Sequence, residues 1–202
     1  MKLDEIVKNK FLYSKSFNIF KFLYFCYQLL KSKRIQNKRK LYSNWGLDMM
    51  ADDFFKNKSK GIYIDVGCHH PFLNNNTYRL YKKGWSGINI DLDFNTVDMF
   101  NFFRGSDLNI EAAVSDKNEE RDFFFFHNRS AINTLSEKSG IKAKEVKKIQ
   151  TTTLNSLIEN SKFKDSKINY VSIDVEGHEL NVLRGFNLKK YKPDLIILEF
   201  ID

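Results

Sequence analysis

The sequence predicts an α/β fold, a mostly parallel sheet with flanking helices. Three observations carry that prediction. Short apolar runs rich in β-branched or aromatic residues, Ile62–Val66, Gly87–Asp91 and Tyr170–Val175, each bear an acid at or near the C-terminal end. Helix-like stretches stand between such runs, and Gly61–Asp93 reads as strand, loop, helix, strand within the length of one βαβ unit. Of the 202 residues, 42% are hydrophobic and 15% aromatic, enough to bury one proper core.

The chain divides into a helical, basic extension over residues 1–60 and an α/β body over 61–202. Within the extension, Phe17–Leu30 is apolar almost all round, with Asn18, Lys21 and Gln28 on one narrow stripe, the pattern of a helix. Such a segment rises roughly 21 Å, short of the roughly 30 Å hydrocarbon core of a bilayer. No small-residue cleavage site follows it. Directly behind come Lys31, Lys33, Arg34, Lys38, Arg39 and Lys40. An aromatic helix followed by a basic cluster has the make-up of an interfacial membrane contact, here through residues 17–40. The same segment also suits a helix packed on the domain with a solvated basic loop behind it. A second helix is expected around Asp48–Phe55.

Charge is placed unevenly. Residues 1–60 hold 14 Lys/Arg and 5 Asp/Glu, whereas residues 61–202 hold 19 and 20, so the net charge of +8 belongs to the extension. A nucleic-acid substrate usually demands a basic groove beside the active site, and none is expected here. Cys26 and Cys68 stand far apart and make neither a disulfide framework nor a metal-ligand spacing, which indicates a reducing, cytoplasmic setting.

In the body, strands at Ile62–Val66 and Gly87–Asp91 enclose a turn at Gly67–Pro71 and a helix over Asn76–Lys83. Phe94–Phe103 reads as the next crossover helix and Leu108–Val114 as the third strand, whose Ala112-Ala113 pair lets a flat adenine approach closely. Residues 115–153 leave the alternation. Phe123–Phe126, expected to be covered on both faces, and Val146–Thr153 read as extra strands, with a mobile loop that would carry substrate specificity. Leu154–Asn160 should be a short helix. Tyr170–Val175 is the fourth strand, followed by a helix to Arg184 with Gly185 as its C-cap. Leu195–Phe200 is the last strand.

Ligands of open parallel sheets bind outside the carboxyl ends of the strands, where Asp65, Gly67 and Asp91 would sit. A dinucleotide would need G-x-G-x-x-G, but Gly67 is followed by Cys68, His69, His70 and Pro71. The loop suits a nucleoside without a phosphate bridge, and an acid ending the second strand suits the ribose hydroxyls. S-adenosylmethionine, phosphate-free and cationic, fits both. The cofactor-binding candidates are therefore Asp65, Gly67, Cys68, Asp91, Ala113 and Asp174.

Tyr170–Gly185 reads YVSIDVEGHELNVLRG. Asp174 closes a buried strand and Glu176 follows two residues on, so both carboxylates should reach the same crevice. His178 and Glu179 begin the next helix, whose dipole stabilises a carboxylate and depresses a histidine's pKa. Together with D-V-G and the acid ending the second strand, I-D-V-E-G-H-E-L-x-V-L-x-G resembles the FkbM-type S-adenosylmethionine-dependent methyltransferase family, over roughly Tyr42 to Phe200. The resemblance implies a class I, Rossmann-like methyltransferase fold. It also implies that Asp65, Gly67 and Asp91 line the cofactor site, with Asp174 and Glu176 near the transferring methyl. Folds of this class generally end with a further helix and an antiparallel strand pair. Here the sequence stops after the fifth strand, so either it is truncated or residues 122–153 complete the sheet.

The family implies a hydroxyl acceptor on a glycan or small metabolite. Such a hydroxyl needs a general base within hydrogen-bond reach, and Glu176 and His178 are the catalytic candidates. Three other readings stay open. They are a nicotinamide-dependent oxidoreductase, a non-catalytic nucleoside-binding module, and metal-dependent methylation with Asp174, Glu176 and Glu179 around a divalent ion. No metal ligand is assigned.

Overall fold

A computed structural model describes residues 19–39, 41–126, 133–136 and 142–199. The chain opens with helix α1 (Ile19–Arg39) and α2 (Leu47–Phe54). Strands β1 (Ile62–Val66) and β2 (Ser86–Asp91) flank α3 (Tyr78–Lys82), and α4 (Phe94–Phe103) leads to β3 (Leu108–Glu111). Then come β4 (Ala113–Ser115), β5 (Glu120–Phe125), β6 (Glu145–Thr153) and α5 (Leu154–Glu159). The described chain closes with β7 (Tyr170–Ile173), α6 (Glu179–Arg184), α7 (Leu188–Tyr191) and β8 (Leu195–Leu198). Phe200 and most of the loop expected between β5 and β6 lie outside the described residues, as do Phe17, Asn18 and Lys40.

The main sheet has the order β3-β2-β1-β7-β8, and every pair in it is parallel. Helices cover both faces, because strand residues alternate in direction. Ile64, Val66, Ile88, Ile90, Val171 and Ile173 pack on Leu154 and Ile158 of α5 and Val182 of α6. On the other face Tyr63 and Tyr170 meet Ala51, Phe55, Leu80 and Trp85. Residues from α2 thus share a core with the sheet. The architecture is Rossmann-like, as the spacing of strands and helices predicts.

Three features depart from expectation. The third strand is not continuous: after Glu111 the chain leaves the main sheet, Ala112 N–H still donating to the Asp91 carbonyl, and Ala113–Ser115 pairs with β6 instead. The 122–153 excursion does not complete the main sheet either. It forms a separate sheet, order β4-β6-β5, in which Phe123, Phe124 and Phe125 are only half-buried and so not enclosed on both faces. Finally, Gly185 caps α6 without the left-handed turn, having φ −80°. Its glycine requirement is steric, since a Cβ there would lie 2.2 Å from the Ser115 carbonyl oxygen.

Beneath the carboxyl ends of β1 and β2 the second face becomes polar. Arg104, fully buried, donates to Asp107 (Nε–Oδ2 3.0 Å), Asn75 (3.1 Å), Thr77 (3.0 Å) and the Tyr63 hydroxyl. Asp107 in turn accepts from the Asn89 amide at 2.9 Å and the Gly87 N–H at 3.0 Å. One guanidinium at the end of α4 thereby joins β1 and the segment before α3, and through Asp107 it reaches β2.

Helix α1 docks on α4. Lys21 forms an ion pair with Asp98, and the Phe25 ring lies 5.6 Å from Phe102 and 6.1 Å from Phe103. Among the described residues no helix is long and apolar enough to cross a membrane.

Candidate active site

Strand order reverses between β1 and β7: from β1 the chain first moves outward to β2 and β3, then returns to β7 and β8. A crevice opens at such a switch point. There a cavity of about 450 Å³ is lined by Gly67, Asp91, Ala113, Asp174, Glu176 and His178, within the range of roughly 300–1,000 Å³ usual for small-molecule sites. Six of the sequence-derived candidates therefore meet in one place.

Gly67 follows β1 with φ +79°, and a Cβ on it would stand 1.8 Å from the Asp174 carbonyl oxygen. The glycine is thus demanded by the neighbouring strand end as well as by the turn. Asp91 is fixed by main-chain amides: Oδ2 accepts from His69 N–H and Oδ1 from Asp93 N–H, both at 2.9 Å. His69 itself has φ +52°, a conformation a non-glycine residue rarely adopts.

Asp65 and Cys68 are buried and do not line the cavity. Asp65 points to the second face of the sheet, by strand alternation, where it accepts from Thr77 Oγ1 (2.8 Å) and Asn75 Nδ2 (3.0 Å). Burial raises its pKa, against the lowering effect of the Arg104 charge and these hydrogen bonds. It anchors the loop of residues 75–77 and does not face the cavity. For Cys68, burial first and then the charges of Asp91 and Asp65 push the thiol well up, so it is an unreactive wall behind the turn.

The turn after β7 is tightly built. Glu176 has φ +59° and Gly177 φ +96°. Glu179, expected to be a first-turn helix acid, is buried and its Oε1 accepts from Val175 N–H and Gly177 N–H, both at 3.0 Å. Thr134 Oγ1 lies 3.2 Å from the Val175 carbonyl and 3.0 Å from that of Glu176, and Ser136 Oγ donates to the Gly177 carbonyl at 3.0 Å. Residues of the excursion thus hold the turn in a conformation a non-glycine residue would otherwise leave.

Glu199, just after β8, was not among the sequence-derived candidates. Its carboxylate, with those of Asp174 and Glu176, places one oxygen from each within 4.8 Å of the others. The third carboxylate of this group is thus Glu199 and not Glu179, which is committed to the turn. Burial, then the hydrogen bond and charge of Glu199, then Glu176, push Asp174 up to about 9. The Asp174 carboxyl is thereby held toward its protonated form near pH 7.

His178 Nε2 lies 2.9 Å from Ser115 Oγ, and Nδ1 lies 3.2 Å from Ser136 Oγ. Burial, and secondarily the Arg121 charge, lower its pKa to about 4, so the ring is neutral near pH 7. Both ring nitrogens are engaged by serine hydroxyls. Ser115 Oγ also lies 3.0 Å from Asp116 Oδ1, an acceptor that the Arg121 guanidinium binds at 2.7 Å. Phe123, Phe125 and Lys147 of β5 and β6 also line the cavity. Among the described residues Lys147 is the one lysine or arginine lining the cavity, against the carboxyl groups of Asp91, Asp93, Asp174, Glu176 and Glu199.

No curated protein and no solved structure is significantly similar to this chain. Residues 65–202 match the family model described as the methyltransferase FkbM domain, and that span holds every one of the residues just placed around the cavity. With the match covering more than half its length, the chain belongs to the FkbM methyltransferase family.

Proposed function

We propose that this protein is an S-adenosylmethionine-dependent methyltransferase acting on a hydroxyl of a glycan or small metabolite. The observation that carries the reading is the single cavity gathering Gly67, Asp91, Ala113, Asp174, Glu176 and His178 at the switch point of a family-assigned fold. S-adenosylmethionine, when bound, supplies an electrophilic methyl on a sulfonium cation. The excess of carboxyl groups in the wall suits that positive charge.

Asp91, held by two amides, is oriented to accept from ribose hydroxyls, and the small side chains of Ala112 and Ala113 leave room for a flat base. Asp65 takes no ligand in this reading; it positions the loop beside the cavity. Glu176 is the group assigned to take the acceptor's proton. Asp174, held toward its protonated form by burial and by Glu199, serves as a donor and not as a second base. His178 positions the turn through its two serines, and would accept a proton only if one hydroxyl rotated away. The rings of Phe123 and Phe125 offer an apolar platform for the acceptor. Alignment alone is worth on the order of 7–11 kcal/mol. Cys26 and Cys68 are free thiols, in keeping with a cytoplasmic setting.

One observation favours a second reading. Three carboxylate oxygens within 4.8 Å of one another also suit a divalent ion with oxygen ligands, such as Mg²⁺.

Asp91→Ala tests the cofactor assignment. It should weaken S-adenosylmethionine binding by about 1.5–3 kcal/mol, the range for hydrogen bonds to a charged group, as read by calorimetry on folded protein. An unchanged dissociation constant would remove Asp91 from the ribose site.

A further inference from the structure

Helix α1 is amphipathic the wrong way round for a helix that only packs on its own domain. At 100° per residue, Lys21, Phe25, Gln28 and Ser32 fall within about 60° of arc, and all four are buried. Three of them are polar. Ile19, Leu23, Tyr27 and Leu30 occupy about 80° of arc on the opposite side, with exposures of 61%, 55%, 57% and 67%. Phe22 beside them and Phe102 of α4, in ring contact with Phe22 at 5.9 Å, are 38% and 45% exposed. Large apolar side chains gathered on one exposed face mark a surface that meets a partner.

The charges along the helix indicate what that partner is. The apolar stripe runs directly into Lys31, Lys33 and Arg34, all exposed. Lys82 of α3, also exposed, lines the same cleft as Lys33. Over Ile19–Arg39 there is no acidic residue at all. A second copy of the chain would therefore bring cations against cations across a paired α1. No helix among the described residues can cross a bilayer, so the fitting surface is one on which the helix lies.

We propose that the Ile19–Leu23–Tyr27–Leu30 face of α1 rests on an anionic lipid bilayer, with Lys31, Lys33 and Arg34 among the headgroups. The N-terminal half enters the acyl boundary, as interfacial helices do. The basic end contributes charge attraction, and the buried face stays on α4. Docking on the domain and contact with a membrane are thus opposite faces of one helix.

Flotation of the full chain with vesicles tests this. It should float with vesicles of phosphatidylcholine and phosphatidylglycerol at low salt, should be released as salt screens the charges, and should not float with phosphatidylcholine alone. Leu23→Glu combined with Leu30→Glu should lower partitioning by roughly a hundredfold or more. Lys31→Gln, Lys33→Gln and Arg34→Gln should each lower it by about fivefold. All five positions are exposed, and an unchanged near-ultraviolet circular dichroism spectrum would verify the fold of each variant. Failure of the parent chain to float, equal flotation with the neutral vesicles, or undiminished flotation of the leucine variant would overturn the proposal. So would a sedimentation experiment in which the chain dimerises and only the leucine variant is monomeric, which would assign the face to a second copy.

Discussion

Arg104→Leu should lower the free energy of unfolding by about 3–5 kcal/mol, the cost of breaking a buried ion pair from one side. Natural domains have only about 5–15 kcal/mol to lose, so the variant should sit near the edge of folding. The expectation follows from what the guanidinium leaves behind. Asp107, fully buried, loses its cation, while Asn75, Thr77 and Tyr63 lose a donor each. Asp65, already raised by burial and opposed chiefly by Arg104, would rise further. An acid whose folded pKa lies above its unfolded value binds more protons when folded, so its contribution to stability falls as pH rises. The deficit of Arg104→Leu should therefore shrink as pH falls through the raised pKa of Asp65. Urea unfolding at several pH values measures both effects, and a loss under about 1 kcal/mol would mean that the network is not under tension from its buried charges.

Glu176→Gln should cut methyl transfer by roughly 10²- to 10⁴-fold, as loss of a general base does, while cofactor affinity changes by no more than a few fold. The substitution keeps the side chain's shape and, being another non-glycine residue at φ +59°, adds no new backbone cost at the turn. It removes the group that can take a proton. Turnover of the parent enzyme should also survive a chelator, because Asp174, raised to about 9 by burial and by Glu199, would offer a divalent ion a largely neutral carboxyl near pH 7. Loss of activity on chelation would instead favour the divalent ion at Asp174, Glu176 and Glu199. Collapse of cofactor affinity in Glu176→Gln would make Glu176 part of the cofactor site. A parent enzyme that binds the cofactor but methylates no hydroxyl acceptor would be a binding module.

The parts of this architecture legible in the sequence were those set by local pattern. Phe94–Phe103 is a helix over the expected span, with Asp93 capping it through the amides of Asn95 and Thr96. The strands ending near Asp65, Asp91 and Asp174 lie where their β-branched runs stand. What was hidden depends on partners distant in sequence. Arg104 looks like an ordinary solvent-facing residue at a helix end, and only the folded sheet brings Asp107, Asn75 and Tyr63 around it. A usable signal did exist: Asp65, Asn89 and Ser172 put a polar residue on the same face of three adjacent strands. Glu199 was likewise reachable, since parallel pairing of Ile173 with Leu198 sets the following residues, Asp174 and Glu199, side by side. The serine partners of His178, Ser115 and Ser136, lie 63 and 42 residues away and give no local mark. The bend at Ala112 was invisible for a similar reason, since an apolar strand that changes sheets keeps its apolar pattern. In α1 the periodicity was correct, but Lys21 and Gln28 of its polar stripe are buried, a placement that Asp98 makes possible by pairing with Lys21.

The central claim is that the cavity between β1, β2 and β7 holds a nucleoside cofactor of the S-adenosyl type. Titration calorimetry with S-adenosylhomocysteine addresses it without any need to know the acceptor. The account predicts saturable binding of one molecule per chain, weakened in Asp91→Ala, and no binding of a nicotinamide dinucleotide, since the turn after Gly67 lacks the glycines that would receive a pyrophosphate. Absence of heat with S-adenosylhomocysteine, together with tight binding of the dinucleotide, would contradict it.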